Sequence, residues 1–183
     1  MGCVRRIGGV VGVATATSLA VALLSGCSTA SEPSPPTGID ELTIPTPDPA
    51  PSDFVPQVDN PWLALDTAPG PEVVGVPTTL FSHDGVVDFV AQDRAGNVWW
   101  FGREGEWQVG QVGQVGAEPI EAGLLIAAHP RQGDGYLTVG NLGVLEPRAT
   151  VVDVDEERVE LAVVTPDGST LTQVYLRDEG LQP

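Results

Sequence analysis

"VVDFVAQDRAGNVWWFGR", residues 86–103, is the hairpin from which the rest of the chain can be read. Val86 to Gln92 and Val98 to Arg103 are short runs of β-branched and aromatic residues, too short for helices. Between them, Asp93-Arg94-Ala95-Gly96-Asn97 gathers residues that turn a chain. Two such runs around such a turn predict antiparallel strands. Side chains alternate along a strand, so Trp99, Phe101 and Arg103 are expected on one face, and Val98, Trp100 and Gly102 on the other. Adjacent tryptophans therefore cannot share a core. One needs a second cover, from a loop or the Trp107 segment, or a ligand in an aromatic-lined pocket. Trp99, Trp100, Phe101 and Trp107 are the candidate ligand-facing aromatics.

Outward from this hairpin the same pattern recurs. Leu124–Ala128, Tyr136–Val139, Thr150–Val154, Arg158–Thr165 and Thr170–Leu176 are further strand candidates. Pro166-Asp167-Gly168-Ser169 joins the last two, since Pro sets φ and Gly supplies the positive φ of a tight turn. The expected fold is all-β: one antiparallel, curved sheet, or a partly open barrel or sandwich, over residues 60–183. Asp93-x-x-Gly96-Asn97-x-Trp99 also fits a propeller blade turn, but it occurs once, and a propeller needs several blades.

The region before residue 60 has a different composition. A basic start, Arg5-Arg6, precedes the uncharged run Ile7–Leu24, and then Leu24-Ser25-Gly26-Cys27. A basic, apolar and small-residue succession is that of a secretory signal. The final four residues resemble the lipobox of bacterial lipoproteins. That resemblance implies peptidase recognition through Leu24, Ser25 and Gly26, cleavage before Cys27, and a diacylglyceryl group on the Cys27 thiol. Residues 1–26 are then the signal. An uncleaved span is the alternative, with a run near the lower limit for crossing a bilayer. Residues 27–59 follow as a tether with eight prolines between Ser28 and Asp59. A segment this polar and proline-rich buries too little apolar surface to offset its ordering entropy. A lipid anchor would place the folded part outside the cytoplasm, on the cell membrane, or on the outer membrane of a cell that has two.

Charge and residue types narrow the function. The chain carries 25 Asp and Glu against 8 basic residues, all of them arginine, for a net charge of −17. Loss of the signal removes Arg5, Arg6 and no acid. Nucleic acid is excluded as a partner, because its binding runs on cationic contacts to phosphate. Without lysine there is neither a Schiff base nor a phosphate-binding Gly-Lys-Ser/Thr loop. No Gly-x-Ser-x-Gly elbow occurs. Cys3 leaves with the signal and Cys27 carries lipid, so no thiol nucleophile and no disulfide remain. An enzyme would have to work with carboxylates and two histidines, which leaves Asp88, Asp93 and Asp134 as unranked candidates for a hydrolase. His83 with Asp84 and Asp88, or His129 with Asp134, lack the spacing of a known zinc site. The acidic run Asp153, Asp155, Glu156, Glu157 lacks the glycine and final glutamate of a calcium loop and reads as a solvated turn. No cofactor or metal is expected, although a divalent-cation binder is kept as a third reading.

"FVAQDRAGNVWWFGREGEW" (89–107) and "GLLIAAHPRQGDGY" (123–136) resemble a group of uncharacterised bacterial envelope proteins. The matching positions are Asn60-Pro61-Trp62, Ala91, Asp93, Gly96 through Gly102, Gly105-Glu106-Trp107 and Gly123 through Tyr136. The resemblance implies an envelope protein and brings no catalytic residues. Two features depart from the group. A tryptophan-containing first hairpin is lacking after Leu65, and Gln-Val-Gly is repeated three times over 108–116. The expected function is a non-enzymatic, lipid-anchored module that binds an apolar small molecule or another envelope protein.

Overall fold

The computed structural model describes residues 49–63, 68–113 and 118–183. The expected signal 1–26, the expected lipobox Leu24, Ser25, Gly26 and Cys27, and the expected tether up to residue 48 lie outside the described residues, as does the end of the Gln-Val-Gly repeat. Among the described residues thirteen strands form: β1 (Phe54–Val55), β2 (Pro69–Val73), β3 (Val76–His83), β4 (Val86–Asp93), β5 (Val98–Arg103), β6 (Trp107–Gln108), β7 (Glu121–Ile126), β8 (Gly135–Leu137), β9 (Val139–Gly140), β10 (Arg148–Val154), β11 (Arg158–Val164), β12 (Thr170–Leu176) and β13 (Gly180–Leu181). All described pairings are antiparallel, in two open sheets. One runs β2-β3-β4-β5-β7-β9, with β1 added to β4 and β6 to β5. The other runs β13-β12-β11-β10-β8. The chain passes from the second to the first between Leu137 and Val139. Among the described residues no helix is long and apolar enough to cross a membrane.

The all-β expectation holds, and the hairpin at its origin is β4–β5. The folded region starts earlier than residue 60. Phe54 and Val55 pair with Asp93 and Gln92, and the Phe54 ring meets Trp99 and Phe101 edge-on at 6.5 and 5.1 Å. Flanking prolines hid this strand, because composition averaged over the tether outweighs two apolar residues. β2 was hidden in the same way by Pro69 and Pro71. Both prolines sit on an edge strand, where a missing N–H does no harm.

In the second sheet inner and outer residues alternate along β11, and along β10 as far as Val151, where the register against β11 shifts past Val152. Ala149, Val151, Val159, Leu161 and Tyr175 are fully buried and share one core with Val90, Val98, Trp99, Leu124 and Ile126 of the first. The inner-face pairs of β11 and β12 grade from closed to open. Val159 and Tyr175 are fully buried, Leu161 faces half-buried Gln173, and Val163 faces exposed Leu171. The sandwich therefore splays toward the Thr165–Ser169 turn.

The first sheet is covered on both faces. Trp99 lies opposite Ala91, and Trp100 opposite Val90, so the two indoles point apart as alternation requires. Arg103 departs from the expected face. The register of β4 against β5 shifts between Phe89 and Val90, leaving Phe101 as an extra residue. A bulge inserts one residue and reverses the alternation beyond it. Arg103 accordingly lies over the Trp100 ring, 5.0 Å from its centroid, and not beside Trp99.

Candidate binding cleft

The splayed end of the sandwich encloses a cleft of about 550 Å³, within the usual size range of small-molecule sites. Its wall on the first sheet is aromatic. Trp107 meets Trp100 edge-on at 5.0 Å, and the Trp100 indole N–H donates to the Gly102 carbonyl at 2.9 Å. Trp107 is backed by Ile120 and Val139 in a small cluster of its own. Gly102 is required here: a Cβ at that position would lie 2.9 Å from both the Phe89 ring and the Trp107 carbonyl oxygen. The opposite wall is Val163, Leu171 and Gln173, and the loop carrying Leu142 and Val144 closes one side.

Arg103 is held in place from behind. Its Nε and Nη2 donate to the two carboxylate oxygens of Asp88 at 2.7 and 3.0 Å. Asp88 Oδ2 also meets His83 Nε2 at 2.7 Å, and the His83 ring stacks on Phe81 at 4.6 Å. Burial of Asp88 works to raise its pKa. The hydrogen bonds and charges of His83 and Arg103 outweigh that burial and hold the carboxyl below its ordinary value. In return, the hydrogen bonds and charge of Asp88 raise the Arg103 pKa. A fixed guanidinium thus lies across an indole at the back of the cleft, with its charge already matched.

The rim is acidic. Glu106 lies at the β5–β6 turn and Asp167 at the β11–β12 turn. Asp167 accepts from the Thr165 hydroxyl (2.5 Å), the Ser169 hydroxyl (2.8 Å) and the Ser169 N–H (3.0 Å). These bonds, that of Thr165 foremost, bring its pKa down to about 2. Thr138 lines the cleft, and its buried Oγ1 has no hydrogen-bond partner among the described residues.

Of the aromatics singled out from sequence, Trp100 and Trp107 line the cleft, whereas Trp99 and Phe101 pack under Phe54. The three carboxylates considered for hydrolysis are all buried and tied to the framework. Asp88 holds Arg103. Asp93 accepts from the Ala95 and Asn97 N–H groups, the Asn97 amide and the Trp99 indole N–H. Asp134 accepts from the Arg131 N–H at 3.0 Å. Asp155 caps its own turn by accepting from the Glu157 and Arg158 N–H groups. His83 approaches Asp84 only to 3.7 Å. Among the described residues, no three His, Cys, Asp or Glu side chains gather as metal ligands.

Sequence reasoning missed Arg103, Thr138, Val144, Leu171 and Gln173 as cleft residues. Their meeting depends on how one sheet faces the other, and no local pattern encodes that. The bulge at Phe101 carries only a weak signal, the glycine that follows it. The chain matches no family model, no curated protein and no solved structure.

Proposed function

We propose that this protein is a lipid-anchored, extracytoplasmic binding module of the bacterial envelope, and that it receives an apolar ligand in the cleft between Trp100, Trp107 and Leu171. Leu24-Ser25-Gly26-Cys27 supports the anchor, and the prolines that follow would hold the module off the membrane. The observation that carries the binding reading is the cleft itself, in which the aromatic wall of Trp100 and Trp107 faces Val163 and Leu171, with Arg103 at its back and the carboxylates of Glu106 and Asp167 at its rim. The use of Asp88, Asp93 and Asp134 as internal ties favours binding over hydrolysis.

Two measurements test the proposal. Mature protein recovered from membranes should have the mass of a chain beginning at an acylated Cys27, and Cys27→Ser should abolish that form. Titration of the detergent-solubilised chain with a neutral apolar dye should quench tryptophan emission, and a Trp100→Ala, Trp107→Ala double variant should lose the response. An unacylated full-length chain in the soluble fraction rejects the anchor. A dye that leaves the emission unchanged rejects the cleft.

A further inference from the structure

The edges of the two sheets are not protected alike. An exposed edge strand offers unpaired N–H and C=O groups to any other strand, and proteins commonly shorten such edges or place proline or charge on them. β2 carries Pro69, Pro71 and Glu72. β8, β9 and β13 are two or three residues long. β12 differs. β13 covers only Tyr175 and Leu176, with one further bond from the Gln182 N–H to the Val174 carbonyl. Thr170-Leu171-Thr172-Gln173 has no strand beside it on that side among the described residues. The stretch is uncharged, free of proline and rich in residues that favour strands, in a chain of net charge −17.

The direction of its backbone groups follows from the ladder. The Thr165 N–H bonds the Ser169 carbonyl across the turn, and the outward carbonyl of Val174 accepts from Gln182. In an antiparallel pair, backbone groups alternate between the two sides of a strand. Thr170 and Thr172 therefore point their N–H and C=O groups toward the open edge. The side chains of Leu171 and Gln173 face the other way in the alternation and line the cleft. Open backbone and apolar cleft thus lie side by side on one strand.

We infer that this edge accepts an extended peptide segment from another protein as an added strand, with one large apolar side chain in the Trp100–Leu171 cleft and basic residues flanking it. The inference rests on the cleft reading above and names the class of partner. Backbone pairing at Thr170 and Thr172 supplies affinity, and the cleft selects the anchor side chain, the division of labour usual in strand addition. The rim selects the flanks. Glu106 and Asp167 are the carboxylates at the cleft, and the cation there, Arg103, is already matched by Asp88. Complementarity therefore calls for lysine or arginine on the incoming strand.

The test uses the full chain in detergent and the probe acetyl-Lys-Val-Thr-Phe-Thr-Val-Lys-amide. Hydrogen exchange at the Thr170 and Thr172 amides should slow by about tenfold or more when the peptide is added. N-methylation of the peptide's edge-facing amides should remove that protection, and glutamate in place of its lysines should weaken binding. Thr172→Pro deletes an outward N–H that the sheet does not use, and it should abolish the effect of the peptide. Should that variant fail to fold, the N-methylated peptide tests the same contact from the partner's side. Binding without protection of the two amides overturns the inference, and so does an absence of binding. Protection already present in the peptide-free chain, whether from a second copy or from another part of the chain, overturns it too. Dye quenching with no peptide effect separates the two claims: the cleft stands and the added strand falls. Failure of the dye removes both.

Discussion

β4 carries two buried carboxylates five positions apart, and they are stabilised in opposite ways. Asp93, at the turn, is surrounded by neutral donors: two backbone N–H groups, the Asn97 amide and the Trp99 indole. Asp88, nearer the cleft, is matched by a cation, Arg103, with His83 behind it. The first arrangement closes on itself. Asn60 adds to it by donating to the Gly96 carbonyl at 2.8 Å, and Asn97 Oδ1 accepts from the Ala128 N–H at 3.0 Å. The second leaves one face of Arg103 toward a cavity. The difference separates a structural end of the molecule from an end able to receive something.

The sharpest way to break the comparison is at the structural end. Asp93→Ala leaves the Asn97 and Trp99 donors buried without an acceptor, at roughly 1 to 3 kcal/mol each. We expect a loss of about 4 kcal/mol, measured by urea denaturation, which is a large share of the 5–15 kcal/mol typical of a domain. Dye quenching per folded molecule should stay unchanged, because Asp93 lies outside the cleft. A loss below about 1 kcal/mol would mean that water replaces the carboxylate and that the turn is not closed.

The second break is at Asp88. Asp88→Asn removes the partner of Arg103. A fully buried pair would cost about 3–5 kcal/mol, and the partial exposure of the Arg103 side chain brings the expected loss to about 2 kcal/mol at neutral pH. The pH dependence has a definite sign. A carboxyl whose folded pKa is lowered contributes stability above its unfolded pKa, near 3.9, and loses it as pH falls through the folded pKa. The gap between wild type and Asp88→Asn should therefore be widest above about pH 5 and narrow steadily below pH 4. A gap independent of pH would place the effect in packing and not in the ion pair.

The two ends also differ in how far the sequence disclosed them. At the structural end almost everything is local. Asp93, Gly96, Asn97 and Trp99 lie within one turn of each other, so a hairpin pattern names them, and alternation correctly sends Trp99 and Trp100 to opposite faces. The cleft is assembled from β5, β6, the loop after β9, and β11–β12, brought together by sheet packing over long separations. Trp100 and Trp107 could be suspected because exposed tryptophan is costly. Leu171 and Gln173 could not, since a strand near the end of the chain reads alike whether it faces core or cavity. The bulge at Phe101 reversed the expected face of Arg103, a shift of one residue that no two-residue period anticipates.

The smallest effect is expected at Leu171, and it sharpens the comparison most. This side chain is 41 % exposed although it lies on the inner face of its sheet. In a sandwich closed throughout, Leu171→Ser would cost as much as a core deletion, about 2–5 kcal/mol. At a splayed end the native state already leaves much of the side chain in water, so stability should change by no more than about 0.5 kcal/mol. Dye affinity should nonetheless fall about fivefold, which corresponds to about 1 kcal/mol of apolar contact. Unfolding and dye titration of the same variant read the two quantities separately. A large loss of stability would show that the sandwich is closed in solution around Leu171. Unchanged dye affinity would place the ligand on the Trp107 side of the cleft alone.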